Sequence, residues 1–165
     1  MDAAVLLLQL ASLEEESSAL YHRLRSMTFL VPRVSQLFDR LSQEEMHHKN
    51  LIELVRSYQS QAEEEFQIKE EYEQIFQNAR GILTTLNERI SNTPPRPPFL
   101  DILEDVLDFE KSIEGRHYDS YLEITEKSIK ELLLRLNQYD REHIQAISGV
   151  ISSIRESLKE QSKQS

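Results

Sequence analysis

The sequence predicts an all-α protein, a four-helix bundle of two antiparallel helical hairpins, and three observations carry that expectation. Its 165 residues contain 3 Gly, too few to supply the positive-φ turns that hairpins and sheets use. Leu, Glu, Gln, Lys and Arg, all good helix formers, dominate instead. Apolar residues recur at steps of three and four along most of the chain. Length and a 39% apolar content suit one domain, residues 1–165, with a single core.

The first helix is predicted to begin after Asp2, a capping residue, and to run to about Met27. Val5, Leu8, Ala11 and Ala19 mark its apolar face, with Phe29 at its end. Pro32 disfavours helical geometry at Val31 and itself suits a helix start, which puts a break at residues 28–32. The second helix then carries Leu37, Phe38, Leu41, Ile52 and Val55, and hairpin 1 spans about 1–58.

Residues 57–92 are polar and rich in Glu and Gln, with anchors at Phe66, Tyr72, Ile75, Phe76, Ile82, Leu83 and Leu86. They read as further helix, either continuous with the second or bent near Gly81. The Pro-rich stretch 93–98 cannot be helical and completes a crossover of about 59–99. Asp101 is placed to cap a third helix with Leu103, Val106, Leu107, Ile113, Tyr121 and Ile124. A fourth carries Ile129, Leu132, Leu133, Leu136, Ile147, Val150, Ile151 and Ile154, closing hairpin 2 at about 100–158, with a frayed tail from Lys159. A long crossover lets the second and third helices run the same way.

Composition excludes several chemistries. With no Cys there is no disulfide framework, thiolate zinc site, Cys-ligated iron–sulfur centre or thiol nucleophile. A net charge of −10 opposes nucleic-acid binding, which needs a positive surface. The apolar run 3–8 is far short of a membrane span and lacks a secretory signal, so a cytoplasmic protein is expected.

Each apolar stripe is interrupted midway by residues that can bind a metal. On the second helix Glu45 and His48 stand between Leu41 and Ile52; on the fourth, Asp140 and His143 stand between Leu136 and Ile147. Both are carboxylate-x-x-His pairs at i and i+3, on one helix face. The first helix has Glu15 before His22, and the third has Glu110 before His117. Adding 95 carries Glu15 to Glu110, His22 to His117, Glu45 to Asp140 and His48 to His143, and aligns Leu8, Leu37, Leu41, Ile52 and Val55 with Leu103, Leu132, Leu136, Ile147 and Val150. The chain reads as a duplicated helical hairpin.

In an antiparallel hairpin, residues equidistant from the turn share a level. Glu15 and Glu45 are centred on residue 30, and Glu110 and Asp140 on residue 125, the expected second turn. Each acid then lies about 15 residues, roughly 22 Å, from its turn. Four carboxylates meeting at one level could not all stay ionised without compensation. Two divalent ions supply it, and two acids from one helix pair with two carboxylate-x-x-His motifs from the other form a dinuclear site. Mixed oxygen and nitrogen ligation suits iron or manganese and leaves zinc open.

The Phe38–Glu45–His48 spacing, and Phe109-Glu110-Lys111 followed by Tyr118, resemble the rubrerythrin-like branch of the ferritin-like superfamily over about 1–58 and 100–158. The resemblance implies a ferritin-like bundle with a di-iron site handling oxygen, peroxide or Fe(II), in oxidative-stress defence or iron handling. It implies Glu15 and Glu110 as terminal or bridging ligands, Glu45 and Asp140 as bridges, and His48 and His143 as ligands to one metal each. The sequence differs in having Asp140 where Glu is usual and His22 and His117 where Tyr is frequent. It also lacks the Cys-rich electron-transfer module, so redox turnover would need an external electron donor. His22 and His117 are expected beside the ligands, orienting them or adding to them, Tyr21 and Tyr118 as packing residues, and Glu44 and His47 on the solvent side or at a subunit interface. A homodimer is expected. The rival reading is a metal-free helical protein-interaction module with a degenerate site.

Overall fold

The computed structural model describes residues 3–28, 31–59, 67–68, 71–92, 99–114, 122–123 and 127–163. The described residues are all-helical apart from one two-residue pairing, with α1 Ala3–Met27, α2 Pro32–Gln59, α3 Glu71–Ser91, α4 Phe99–Glu114 and α5 Lys127–Lys163. Gln67–Ile68 pairs antiparallel with Leu122–Glu123. Positive φ occurs nowhere among the described residues, in keeping with the scarcity of glycine.

Four helices carry a seven-residue repeat of buried positions. On α1 these are Ala3, Leu7, Leu10, Glu14, Ser17, Tyr21 and Leu24; on α2 Val34, Phe38, Leu41, Glu45, His48, Ile52 and Val55. On α5 they are Ile129, Leu133, Leu136, Asp140, His143, Ile147 and Val150, and on α4 Leu103, Val106 and Glu110. Alternating steps of four and three keep one narrow seam facing inward, the pattern by which packed helices interlock side chains.

The face expected for α1 is corrected. Val5 and Leu8 are 46% and 52% exposed, and Ala19 is exposed as well. Residues 3–8 are apolar all round, so the first turns do not set the helix's rotation. Leu10, Leu13, Leu20, Tyr21 and Leu24 set it, all of them buried.

Paired contacts give the helix directions. Across α1 and α2, Ser18 Oγ donates to the Ser42 carbonyl at 2.7 Å and Arg25 meets Asp39 at 3.0 Å. Across α2 and α5, Arg33 bonds Ser153 while His48 stacks on Tyr139. Across α4 and α5, Glu104 pairs with Arg155 and Glu110 approaches His143. Each pair is antiparallel, so α2 and α4 run the same way.

The crossover contains α3, which packs on α1 and α4. Phe76, Ala79, Leu83, Leu86 and Ile90 form its buried face, and its edge is held by Arg23 to Asn87 and Ser91 and by Arg89 to Asp105. Three expectations are revised. The crossover is not a continuation of α2, because Gln67–Ile68 is extended, and α3 passes through Gly81 without interruption. The third helix does not reach Ile124: α4 ends at Glu114 and Leu122–Glu123 is extended, with Gly115, a poor helix former, next in sequence. The last helix continues past Lys159 to Lys163. Phe29, Phe66, Tyr121, Ile124 and the turn near 125 lie outside the described residues.

Leu83 is fully buried under α3. Leu83→Ala should therefore cost about 2–5 kcal/mol, read as a lower urea midpoint with unchanged helical circular dichroism. No helix among the described residues is long and apolar enough to cross a membrane.

Candidate metal centre

The repeat that builds the core also places its polar interruptions. Glu14, Glu45, Glu110, Asp140, His48 and His143 are all buried. They come from α1, α2, α4 and α5, and two groups stand out. Glu14, Glu45 and His48 present ligand atoms within 4.8 Å of one another, and so do Glu45, Glu110 and His143. Glu45 belongs to both.

The contacts are close. His48 Nδ1 lies 3.0 Å from Glu45 Oε2 and 3.8 Å from Glu14 Oε2. His143 Nδ1 lies 3.3 Å from Glu45 Oε1 and 3.6 Å from Glu110 Oε2. The two imidazoles stack with centroids 5.3 Å apart. Yet neither nitrogen of His143 makes a directed hydrogen bond, nor do His48 Nε2 and Asp140 Oδ2. Buried polar atoms are nearly always paired; four of the six unpaired side-chain atoms among the described residues belong to this cluster, the other two being Gln9 Oε1 and Gln59 Oε1.

Electrostatics shows how strained this set is on its own. Burial, then the charge of Glu45, pushes Glu14 well above the usual carboxylate range. Burial, then Glu110 and Glu45, pushes Asp140 up to about 8. Burial would raise Glu45 as well, but the charge of the adjacent His143 and the hydrogen bond with His48 hold it well below the usual range. Burial opposes charge on His48, and Glu14 and Glu45 overcome it, lifting the imidazole to about 10. His143 is raised in the same way, with Glu45 the main cause against burial. These shifts favour protons on both imidazoles and on Asp140 at neutral pH. Divalent cations could replace them, since metal ligands bind deprotonated.

The structure redistributes the expected residues. Glu45, His48, Glu110 and His143 converge. Asp140 is buried beside them but joins neither group, its side chain being one methylene shorter than Glu. Glu15 is corrected to Glu14: the Glu15 side chain is 57% exposed and pairs with Lys49 at 3.0 Å. His22 is exposed, so it orients nothing in the core. His117 and Tyr118 lie outside the described residues.

The difference is one residue of repeat register. The second helices of the hairpins align at 140 − 45 = 95, whereas the buried acids of the first helices align at 110 − 14 = 96. The 96-residue shift also pairs buried Leu7 with Leu103, Leu10 with Val106 and Leu13 with Phe109. Glu14→Gln is accordingly expected to lower metal uptake, and Glu15→Gln to leave it unchanged, in elemental analysis of both variants.

Three residues were missed. Tyr21, expected only to pack, is fully buried, stacks on Phe38 at 6.1 Å and donates its hydroxyl to Glu110 Oε1. Its position seven residues after Glu14, on the same seam, was the available signal. Tyr139 lies over His48 at 5.1 Å. Glu44, expected to face away, reaches His143 Nε2 at 3.1 Å.

The chain matches no family model, no curated protein and no solved structure.

Proposed function

We propose that this chain is a dinuclear metal protein of ferritin-like, rubrerythrin-like type, most suited to two iron ions. The observation that carries this reading is Glu45, one carboxylate shared by two buried groups that each end in an imidazole. Glu14 and His48 would hold one ion, Glu110 and His143 the other, and Glu45 would bridge them. Carboxylate-rich ligation with one imidazole per ion favours iron or manganese over softer metals, and zinc would be accommodated. Two divalent charges would match the four acids Glu14, Glu45, Glu110 and Asp140. The long crossover and the common direction of α2 and α4 support a ferritin-like arrangement.

Bound iron would supply exchange between Fe(II) and Fe(III), coupled to O2 or peroxide, or to Fe(II) itself as substrate. The chain's own residues bind and orient: Tyr21 restrains one oxygen of Glu110 by its hydroxyl, leaving the other directed toward His143. Tyr139 covers the His48 ring. Reduction of peroxide to two waters consumes two electrons and two protons, and the electrons would come from an external donor.

The test is anaerobic addition of Fe(II) to metal-free protein, followed by peroxide or air. The proposal expects near-ultraviolet absorption from ferric carboxylates, with consumption of oxidant in proportion to bound iron. Retention of iron with no faster oxidation than in buffer would reduce the role to metal binding. No uptake at all would favour the metal-free interaction module.

A further inference from the structure

The two groups of the centre differ in how they meet the outside. His48 turns Nδ1 toward Glu45 and Glu14, and its Nε2 is buried without a hydrogen bond beneath Tyr139. His143 turns Nδ1 toward Glu45 and Glu110, and its Nε2, also without a directed hydrogen bond, has the Glu44 carboxylate 3.1 Å away. Glu44 belongs to neither group. Its side chain is 37% exposed and is met at 3.6 Å by Arg40, one turn back on α2. Successive residues of a helix point about 100° apart, so the pair Glu44-Glu45 sends one carboxylate into the centre and leaves the next at its rim.

We infer that Glu44 is the positioning residue of the His143 half of the centre and that half's port to solvent. This rests on the dinuclear reading above. An imidazole that offers Nδ1 to a metal carries its proton on Nε2, and a carboxylate facing that nitrogen fixes the tautomer, steadies the ring and raises its basicity. Loss of such a partner typically weakens metal binding about 10–100-fold. Glu44 also reaches water while touching the buried ring, so an incoming cation meets this acid before the enclosed ones. Lines of negative charge leading into a cleft concentrate cations and speed their capture. Among the described residues His48 has no equivalent link, so the two halves load unequally.

The test titrates Co(II) into the metal-free chain, following its visible absorption at equilibrium and by stopped flow. Wild type is expected to take up about two Co(II) per chain, one for each group. Glu44→Ala should weaken one of the two sites about 10–100-fold and leave the other unchanged. Glu44→Gln keeps an acceptor and the side-chain shape, so the fold is preserved. It should slow loading of the same site and flatten that step's dependence on ionic strength, with a smaller loss of affinity. Glu131→Gln, an exposed acid paired with Lys127, controls for net charge and should change nothing. Wild-type uptake of two Co(II) with both Glu44 variants unaltered, or with both sites weakened equally, overturns the inference while leaving the dinuclear reading in place. No uptake by wild type overturns both.

Discussion

Glu45→Gln should strip metal from both halves of the centre, taking the metal-to-chain ratio from about two to well below one. The side chain is the single member common to both groups, so its loss cannot be absorbed by one half alone. The metal-free protein should suffer too. Glu45 is held ionised by His143 and His48, and removing one partner of a buried charged pair costs about 3–5 kcal/mol, because the remaining charge stays buried. The amide retains the shape of the carboxylate, so loss of metal can be read on folded protein by elemental analysis after gel filtration. Glu53→Gln, a surface acid near Lys49, should leave the ratio unchanged.

Stability of the metal-free protein should fall as pH rises from about 5 to 10, and added divalent metal should reverse the trend. Asp140 has a folded pKa near 8, raised from 3.8, so it contributes stability that is fully present below pH 3.8 and is lost by pH 8. His48 is raised from 6.5 to about 10, and its contribution is present below pH 6.5 and gone by pH 10. Between these limits each group that holds a proton only in the folded state costs about 1.4 kcal/mol per pH unit as pH rises. Glu45 has the opposite sign: its depressed pKa contributes stability above the ordinary carboxylate range that is lost in acid. Urea midpoints in the presence of a chelator should thus peak in mild acid and decline toward pH 9. With metal, binding releases the same protons, so metal-dependent stabilisation should grow with pH. A chelated protein that is more stable at pH 9 than at pH 6 would contradict the assigned proton positions.

Much of this is legible in the sequence. On α2 and α5 a seven-residue apolar seam breaks only at a carboxylate and a histidine, so phase and site residues came together. On α1 they did not. Its first six described residues are apolar all round, and residues 14–16 offer three consecutive acids, each about 100° from the next. A uniform shift of 95 selected the wrong one. The seam through Leu10, Glu14, Ser17, Tyr21 and Leu24 identifies the right one, but two of its five members are polar, which hides it from a purely apolar pattern. Tyr21 and Glu44 were missed for a related reason: their roles depend on partners on other helices, Glu110 and His143, at separations that helical periodicity does not encode. The packing of α3 along α1 and α4 likewise depends on tertiary contacts, although its buried spacing from Phe76 to Ile90 was present in the chain.

The central claim is that two metal ions sit close together because they share Glu45. Electron paramagnetic resonance of the chelator-treated protein, titrated with Mn(II), tests it most directly. At low occupancy a bound, isolated Mn(II) signal is expected, which should give way to a broadened, exchange-coupled spectrum as the second equivalent binds, and no coupled species should form in Glu45→Gln. Absence of bound Mn(II), or two equivalents whose signals simply add without coupling, would contradict it.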